Sequence, residues 1–334
     1  MTLGPATAYD RGRMRFCSAW HPAERRAVLC LVEAGGAVRP LGRAGHRLPD
    51  VAALIAHTEV DSGSVLEATV ESLGSEPDGL GDLDELAAGE PGGGGAHLLA
   101  PVRPAEVWAA GVTYERSRDA RMSESTESDV YDRVYASERP EIFLKATAPR
   151  VLGPNADIGL RADSGWDVPE PELGVVVGPG GGIVGYTLGN DVSSRTIEGD
   201  NPLYLPQAKI YAGSCALGPT VVGTDEIDDP YALTIAMRIV RDGSEAFAAE
   251  IGVDSLHVKL DTLVDYLGRE NWVAPGTVLL TGTGIVPPDE FTLAPGDVVE
   301  ITCEPIGTLV NRCAPASSLA PPAEWRGSTA LDSI

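Results

Sequence analysis

At 334 residues the chain has room for two ordinary domains, or one large domain with a smaller companion, so a buried catalytic site is feasible on size alone. It carries 25 Lys and Arg against 49 Asp and Glu, a net charge of −24, which argues against a sequence-independent grip on nucleic-acid phosphates or anionic membranes. A hydrophobic fraction of 43% with only 5% aromatics implies a core of Val, Leu, Ile and Ala, and 39 Gly with 26 Pro predict many turns and exclude a helical bundle.

The N-terminus, MTLGPATAYDRGRMRF, has no apolar h-region, and no stretch approaches 18 uninterrupted apolar residues, so neither secretion nor membrane spanning is supported. The five cysteines, Cys17, Cys30, Cys215, Cys303 and Cys313, are odd in number, widely spaced and without a C-x-x-C pair. They read as buried small hydrophobes in a reducing compartment, and the expected location is the cytoplasm. The expected partners are small molecules, metal ions and sister subunits.

Residues 15 to 70 alternate short apolar runs such as AVLCLVEA with helical candidates such as VAALIAH, a smaller N-terminal α+β domain covering residues 1–100. Between Glu71 and Ala96 the chain becomes acidic and Gly-rich and ends in GEPGGGGAH, a linker or surface loop closing that domain. From Pro101 the texture changes to short β-branched runs between Gly, Pro and Asn: VWAAGV, IFLKAT, LGVVVG, IVGYTLGND, PTVVG, LTIAMRIV, TVLLTGTG and DVVEITCEPIGTLVN. Strands at this spacing make residues 101–315 a mainly β domain, a barrel or rolled mixed sheets, within an α+β chain overall. Two helices interrupt it, a polar one over Tyr114–Glu138 that suits an exposed helix or a lid, and Ser255–Leu267, whose apolar residues recur at helical intervals. Residues 316–334 form a C-terminal tail.

The segment DVPEPELGVVVGPGGGIVGYTLGND, residues 167 to 191, concentrates the chemistry. Val168 and Glu170 each precede Pro and are pushed to extended backbone, so Glu170 and Glu172 share one face. A hairpin through PGGG that pairs Gly178 with Ile183 sets Glu170 opposite Asp191 at constant register, with one bulge able to move the pairing by a residue. Three carboxylates at one strand end offer hard oxygens with room for water, the preference of Mg2+ and compatible with Mn2+ or Ca2+. In a chain with 49 acids, chance clustering near a turn is the competing explanation. Further on, Lys209 lies in the apolar context AKIYAG, as a charge partner, as a proton carrier if burial lowers its pKa, or, more plainly, as a surface lysine. The TGTG loop at 281–284 offers N–H groups and Thr hydroxyls to a carboxylate. No P-loop and no G-x-G-x-x-G in a βαβ context is present, so nucleotide binding is not supported.

E-P-E-L-G-V-V-V-G, G-Y-T-L-G-N-D-V-S-S-R, the lysine 18 positions after Asp191 and the T-G-T-G loop together resemble the fumarylacetoacetate hydrolase superfamily, over about residues 101–312. R-P-E-I-F-L-K-A-T, D-V-P-E-P-E-L and N-P-L-Y-L-P-Q-A-K-I-Y-A-G are similar to its branch that dehydrates 2-keto-3-deoxy sugar acids. The resemblance implies a rolled mixed-β catalytic fold and a Mg2+ held by Glu170, Glu172 and Asp191. It also implies Glu141 and Lys209 as the acid and base pair, substrate contacts from Tyr114, Arg118, Arg121, Lys145 and Thr283, and a homodimer or higher homo-oligomer. Hydrolase members carry a His soon after the first core strand, whereas GVTYERSRDARMSES has none, which favours dehydration of 2-keto-3-deoxy-D-arabinonate to 2,5-dioxopentanoate. The alternatives are a C–C hydrolase or decarboxylase acting on another 2-oxo acid, and, from a different class, an inactive metal- or oxo-acid-binding module.

Overall fold

The computed structural model describes residues 15–58, 73–74, 79–124 and 128–321. The expected linker therefore falls partly outside the described residues, at 71–72 and 75–78, and so does most of the expected tail, at 322–334.

In chain order the strands of the N-terminal region are β1 (Arg15–His21), β2 (Arg26–Val32), β3 (Ala37–Pro40), β4 (Gly81–Asp82) and β5 (His97–Leu99). Those that follow are β6 (Glu106–Gly111), β7 (Glu141–Thr147), β8 (Val151–Leu152), β9 (Asp157–Leu160), β10 (Asp167–Val168), β11 (Pro171–Val177), β12 (Ile183–Asp191), β13 (Ser193–Ser194) and β14 (Cys215–Gly223). The last are β15 (Thr234–Arg241), β16 (Ser244–Gly252), β17 (Val278–Leu280), β18 (Val298–Cys303) and β19 (Gly307–Pro315). A twelve-stranded sheet runs β4-β3-β2-β1-β14-β12-β11-β17-β6-β7, with β5 on β1 and β8 on β14, and a five-stranded sheet runs β16-β15-β18-β19-β9. β17 pairs parallel with β6 while its pairing with β11 is antiparallel, so the large sheet is mixed, as the sequence leads one to expect.

Every residue of β11 is buried, because both faces of the large sheet are covered. Leu173, Val175 and Val177 face the core shared with Ile235, Met237 and Ile239 of β15 and with Ile301 of β18, whereas Val176 belongs to the core of Leu217, Val221, Val278 and Val107. A helix, α1 (Val51–Thr58), closes the second core with Val51, Leu54 and Ile55. β1 bonds to β14 through the pairs Arg15↔Val222 and Phe16↔Val221. The division expected near residue 100 therefore falls within one continuous hydrogen-bonded sheet.

Two differences from the expected elements have physical causes. Val177, not Gly178, pairs with Ile183, because a bulge beside Val176 and Val177 absorbs one residue at the turn, while Pro171↔Asn190 through Val176↔Gly185 keep the expected register. α2 (Leu83–Ala87) forms inside the expected linker, since Asp82 accepts from the N–H of Asp84 and the Glu85 carboxylate accepts from the N–H of Asp82, a capping box.

Candidate active site

Elements from three parts of the chain meet at one end of the β11–β12 ladder. Glu172 lies within β11 and Glu170 just before it, so both project to one side, and the N–H of Asp191 at the end of β12 donates to the Glu170 carbonyl at 3.0 Å. One carboxylate oxygen from each of Glu170, Glu172 and Asp191 lies within 4.8 Å of the others, and all three residues are buried. Ligands at about 2.1 Å around an octahedral ion stand about 3 Å apart when adjacent and about 4.2 Å when opposite, so a small shift suits Mg2+. These hard, anionic oxygens are the donor set that Mg2+ prefers over softer ligands.

Three cations answer two of the three acids, Glu170 and Asp191. Lys209 Nζ donates to Glu170 Oε2 at 2.6 Å, to Asp191 Oδ2 at 3.3 Å and to Ser193 Oγ at 2.6 Å. Lys145 Nζ stands 2.5 Å from Asp191 Oδ1, and an Arg195 guanidinium nitrogen 3.0 Å from Glu170 Oε1. Glu172 instead accepts from the N–H of Gly282 at 2.6 Å. Burial first, then the charges of Asp191 and Glu170, hold the Glu172 carboxyl well above the usual carboxylate range. That is the electrostatic condition of an acidic cluster with room for more positive charge.

Local sequence places each group. Lys209 ends the short helix α6 (Leu205–Lys209), begun by Pro206 at its first turn, and its carbonyl accepts from Ser214 Oγ and Lys145 Nζ. Another helix, α5 (Arg195–Asp200), starts at Ser194, whose hydroxyl accepts from the N–H of Ile197, and buries Arg195 and Glu198, three positions apart on one face. Gly282 has φ +90°, and a Cβ there would lie 2.0 Å from Thr113 Oγ1, so only glycine lets its N–H reach Glu172. Gly284 likewise yields to the ring of Tyr114, 2.8 Å from where its Cβ would stand.

A small cleft of ≈ 10 Å³ opens over the cluster. Its polar lining is Glu170, Glu172, Lys209, Glu141, Thr283, Ser117 and Glu198, and its apolar lining includes Val112 and Phe143. No histidine is among these lining residues.

The structure thus brings together Glu170, Glu172, Asp191, Lys209, Glu141 and Thr283. It separates others expected to touch substrate. Lys145 is fully buried, with its ammonium committed to Asp191 and the carbonyls of Val192 and Lys209, which makes it a strut behind the site. Tyr114 packs into the core beneath Gly284 and is not among the cleft-lining residues, and its buried hydroxyl has no hydrogen-bond partner among the described residues. Arg118 turns away on α3 (Glu115–Glu124), bonded to Asp119 at 2.7 Å and lying 4.7 Å over the ring of Tyr135, which ends α4 (Ser128–Tyr135). The Arg121 side chain lies outside the described residues. Sequence reasoning missed Arg195, Ser193, Glu198 and Ser117; the spacing of Arg195 and Glu198 after a Ser cap is a signal that could have found two of them.

Residues 106–314 match the family model "Fumarylacetoacetate (FAA) hydrolase C-terminal". The chain is 51% identical over 215 residues to a probable 2-keto-3-deoxyxylonate dehydratase of Haloferax volcanii, covering 64% of this chain and 74% of that protein. It is 46% identical over 218 residues to a 2-dehydro-3-deoxy-D-arabinonate dehydratase of Saccharolobus solfataricus, covering 64% and 73%. Among solved structures, a 2-keto-3-deoxy-D-arabinonate dehydratase complexed with magnesium and 2,5-dioxopentanoate superposes with a TM-score of 0.75 at 34% identity, over 90% of this chain and 99% of that one.

Proposed function

The chain belongs to the fumarylacetoacetate hydrolase family, and on that premise we propose that it dehydrates 2-keto-3-deoxy-D-arabinonate to 2,5-dioxopentanoate with Mg2+ as cofactor. The observation that carries this reading is one cleft that joins the buried triad Glu170, Glu172 and Asp191 to Glu141 and Lys209, with no histidine in its lining. The D-arabinose and D-xylose series differ only at C2 and C3, and both centres are lost in the 2-keto-3-deoxy acid. The arabinonate and xylonate names of the relatives therefore converge on a single skeleton within the D series.

Glu170, Glu172 and Asp191 would hold the ion, which when bound supplies Lewis acidity to the carboxylate and keto oxygens of a 2-oxo acid. The chain's own groups then move protons. A C3 proton leaves to one member of the Glu141–Lys209 pair, and the C4 hydroxyl departs as water with a proton from the pair. The double bond moves to C4–C5, and that enol becomes the C5 aldehyde. Lys209 is held for this by Ser193, and Thr283 offers its hydroxyl at the cleft wall. Arg195 and Lys145 hold the Glu170 and Asp191 carboxylates in place through ion pairs at 3.0 and 2.5 Å.

All of these residues lie between 106 and 314, which supports residues 101–315 as the catalytic unit and 1–100 as its smaller companion. We place the enzyme in the cytoplasm, consistent with five free, buried cysteines, and as a homo-oligomer, for which the exposed Trp272 and Leu203 offer apolar contact points.

The test is incubation of the protein with 2-keto-3-deoxy-D-arabinonate and Mg2+. An aldehyde product that disappears on metal chelation is the expected result. Efficient cleavage of an acylpyruvate beside an inert deoxy sugar acid would replace dehydration with C–C hydrolysis, and binding without product would leave a non-catalytic module.

A further inference from the structure

Gly111 and Glu141 form the last pair of the β6–β7 ladder and stand directly opposite one another. Side chains at such a pair share one face, so whatever occupies position 111 meets Glu141. Alternation along β7 puts Glu141, Phe143 and Lys145 on that face. The other two already reach the site: the Lys145 ammonium stands 2.5 Å from Asp191 Oδ1, and the Phe143 ring centroid lies 5.4 Å from the Lys209 ammonium.

Glu141 bends across its neighbour instead of standing beside it. A Cβ built on Gly111 would lie 2.0 Å from Glu141 Oε2, 2.7 Å from its carboxyl carbon and 3.3 Å from its Cγ, so the side chain fills the space that any residue but glycine would need. All three of the nearest atoms belong to Glu141. The backbone at this corner has little slack. Directly after Gly111 the β-branched Val112 holds φ +55°, a conformation that persists only where its surroundings impose it. Val112 is buried, Thr113 Oγ1 donates to the Thr281 carbonyl at 2.7 Å, and the Thr113 carbonyl accepts from the N–H of His257 at 2.9 Å. In a clash at 111 between a clamped main chain and the far end of a glutamate, the glutamate changes rotamer.

Resting on the function proposed above, we infer that Gly111 is a positioning residue: its bare backbone is the seat that aims the Glu141 carboxylate into the cleft it shares with Lys209. The seat acts on one member of the acid and base pair and leaves the carboxylate triad as it is.

Gly111→Ala tests this. Misplacing a reacting group by about 1 Å costs about 10²-fold, so kcat should fall by about 10- to 100-fold, while KM stays within about threefold and Mg2+ affinity, read by calorimetry, within about twofold. A general loosening of the fold does not give that split. Melting temperatures put the same question without any reaction. In the wild type the added methyl group displaces Glu141 and should lower Tm by at least about 1 °C. In Glu141→Ala the three atoms it would meet are gone, so the same substitution should leave Tm unchanged or raise it, as Gly→Ala does where the backbone permits. An equal Tm shift in both backgrounds overturns the assignment, and so does a loss of Mg2+ affinity in step with kcat. If the wild type leaves 2-keto-3-deoxy-D-arabinonate untouched, the reaction reading fails and the two Tm shifts still decide the seat; dehydration that survives Gly111→Ala at full rate sinks the seat alone.

Discussion

Lys209 is held between two carboxylates that also have to serve a divalent ion, with Glu170 Oε2 at 2.6 Å and Asp191 Oδ2 at 3.3 Å from its ammonium. Positive charge here both screens the acids and competes with metal for them. Lys209→Met keeps most of the stem volume and removes the charge, so Mg2+ should bind more tightly while turnover falls by about 10²- to 10⁴-fold. Calorimetry and initial rates check this in one preparation, and an unchanged rate would remove Lys209 from the chemistry. Residue by residue, the triad was legible in the sequence because a turn and an alternation locate it. Lys145 was read as a substrate contact because position in a strand does not reveal what its ammonium meets, here a carbonyl 64 residues on and a carboxylate. Ser117 and Glu198 were hidden inside polar stretches where most side chains face water.

At the scale of elements, the loop after β17 is as constrained as the ladder it completes. Gly282 combines φ +90° with a would-be Cβ 2.0 Å from Thr113 Oγ1, and Thr113 Oγ1 itself donates to the Thr281 carbonyl at 2.7 Å. Gly282→Ala should therefore cost about 2–4 kcal/mol of stability and weaken Mg2+ binding by loosening the N–H that holds Glu172. Gly268→Ala, at a helix end with nothing within 4 Å of the new Cβ, serves as the control and should alter neither. Thermal unfolding and metal titration of the two variants decide the matter. The strands with β-branched runs were legible, and so was the hairpin register from Pro171 to Val176. β16 was not, because SEAFAAEIG is an edge strand exposed along much of its length and rich in Ala and Glu, composition that carries no strand signal. α7 (Leu260–Gly268) begins five residues later than its periodicity suggests, since Val253–Ser255 forms a separate turn and the N–H of His257 is taken by the Thr113 carbonyl.

For the molecule as a whole, a net charge of −24 sets a self-repulsion that salt should relieve. Raising KCl from about 10 mM to about 1 M shortens the screening length from about 30 to about 3 Å, and the melting temperature should rise across that range. Salt also weakens surface pairs such as Arg238–Glu300 and Arg269–Asp265, but exposed pairs are worth at most about 1 kcal/mol each, so the repulsion prevails. A melting temperature that falls with salt would show that ion pairs dominate instead. The large sheet gives the N-terminal region a second significance. β14 is flanked by β12 along one side, while its other side is shared between β8 at Cys215 and Ala216 and β1 at Val221 and Val222. Without β1, the amides and carbonyls at Val221 and Val222 would stand open in an apolar strand, a template on which another chain could add itself. β1, from a region none of whose described residues lines the cleft, thus guards against aggregation, keeping this strand from sticking to its own kind.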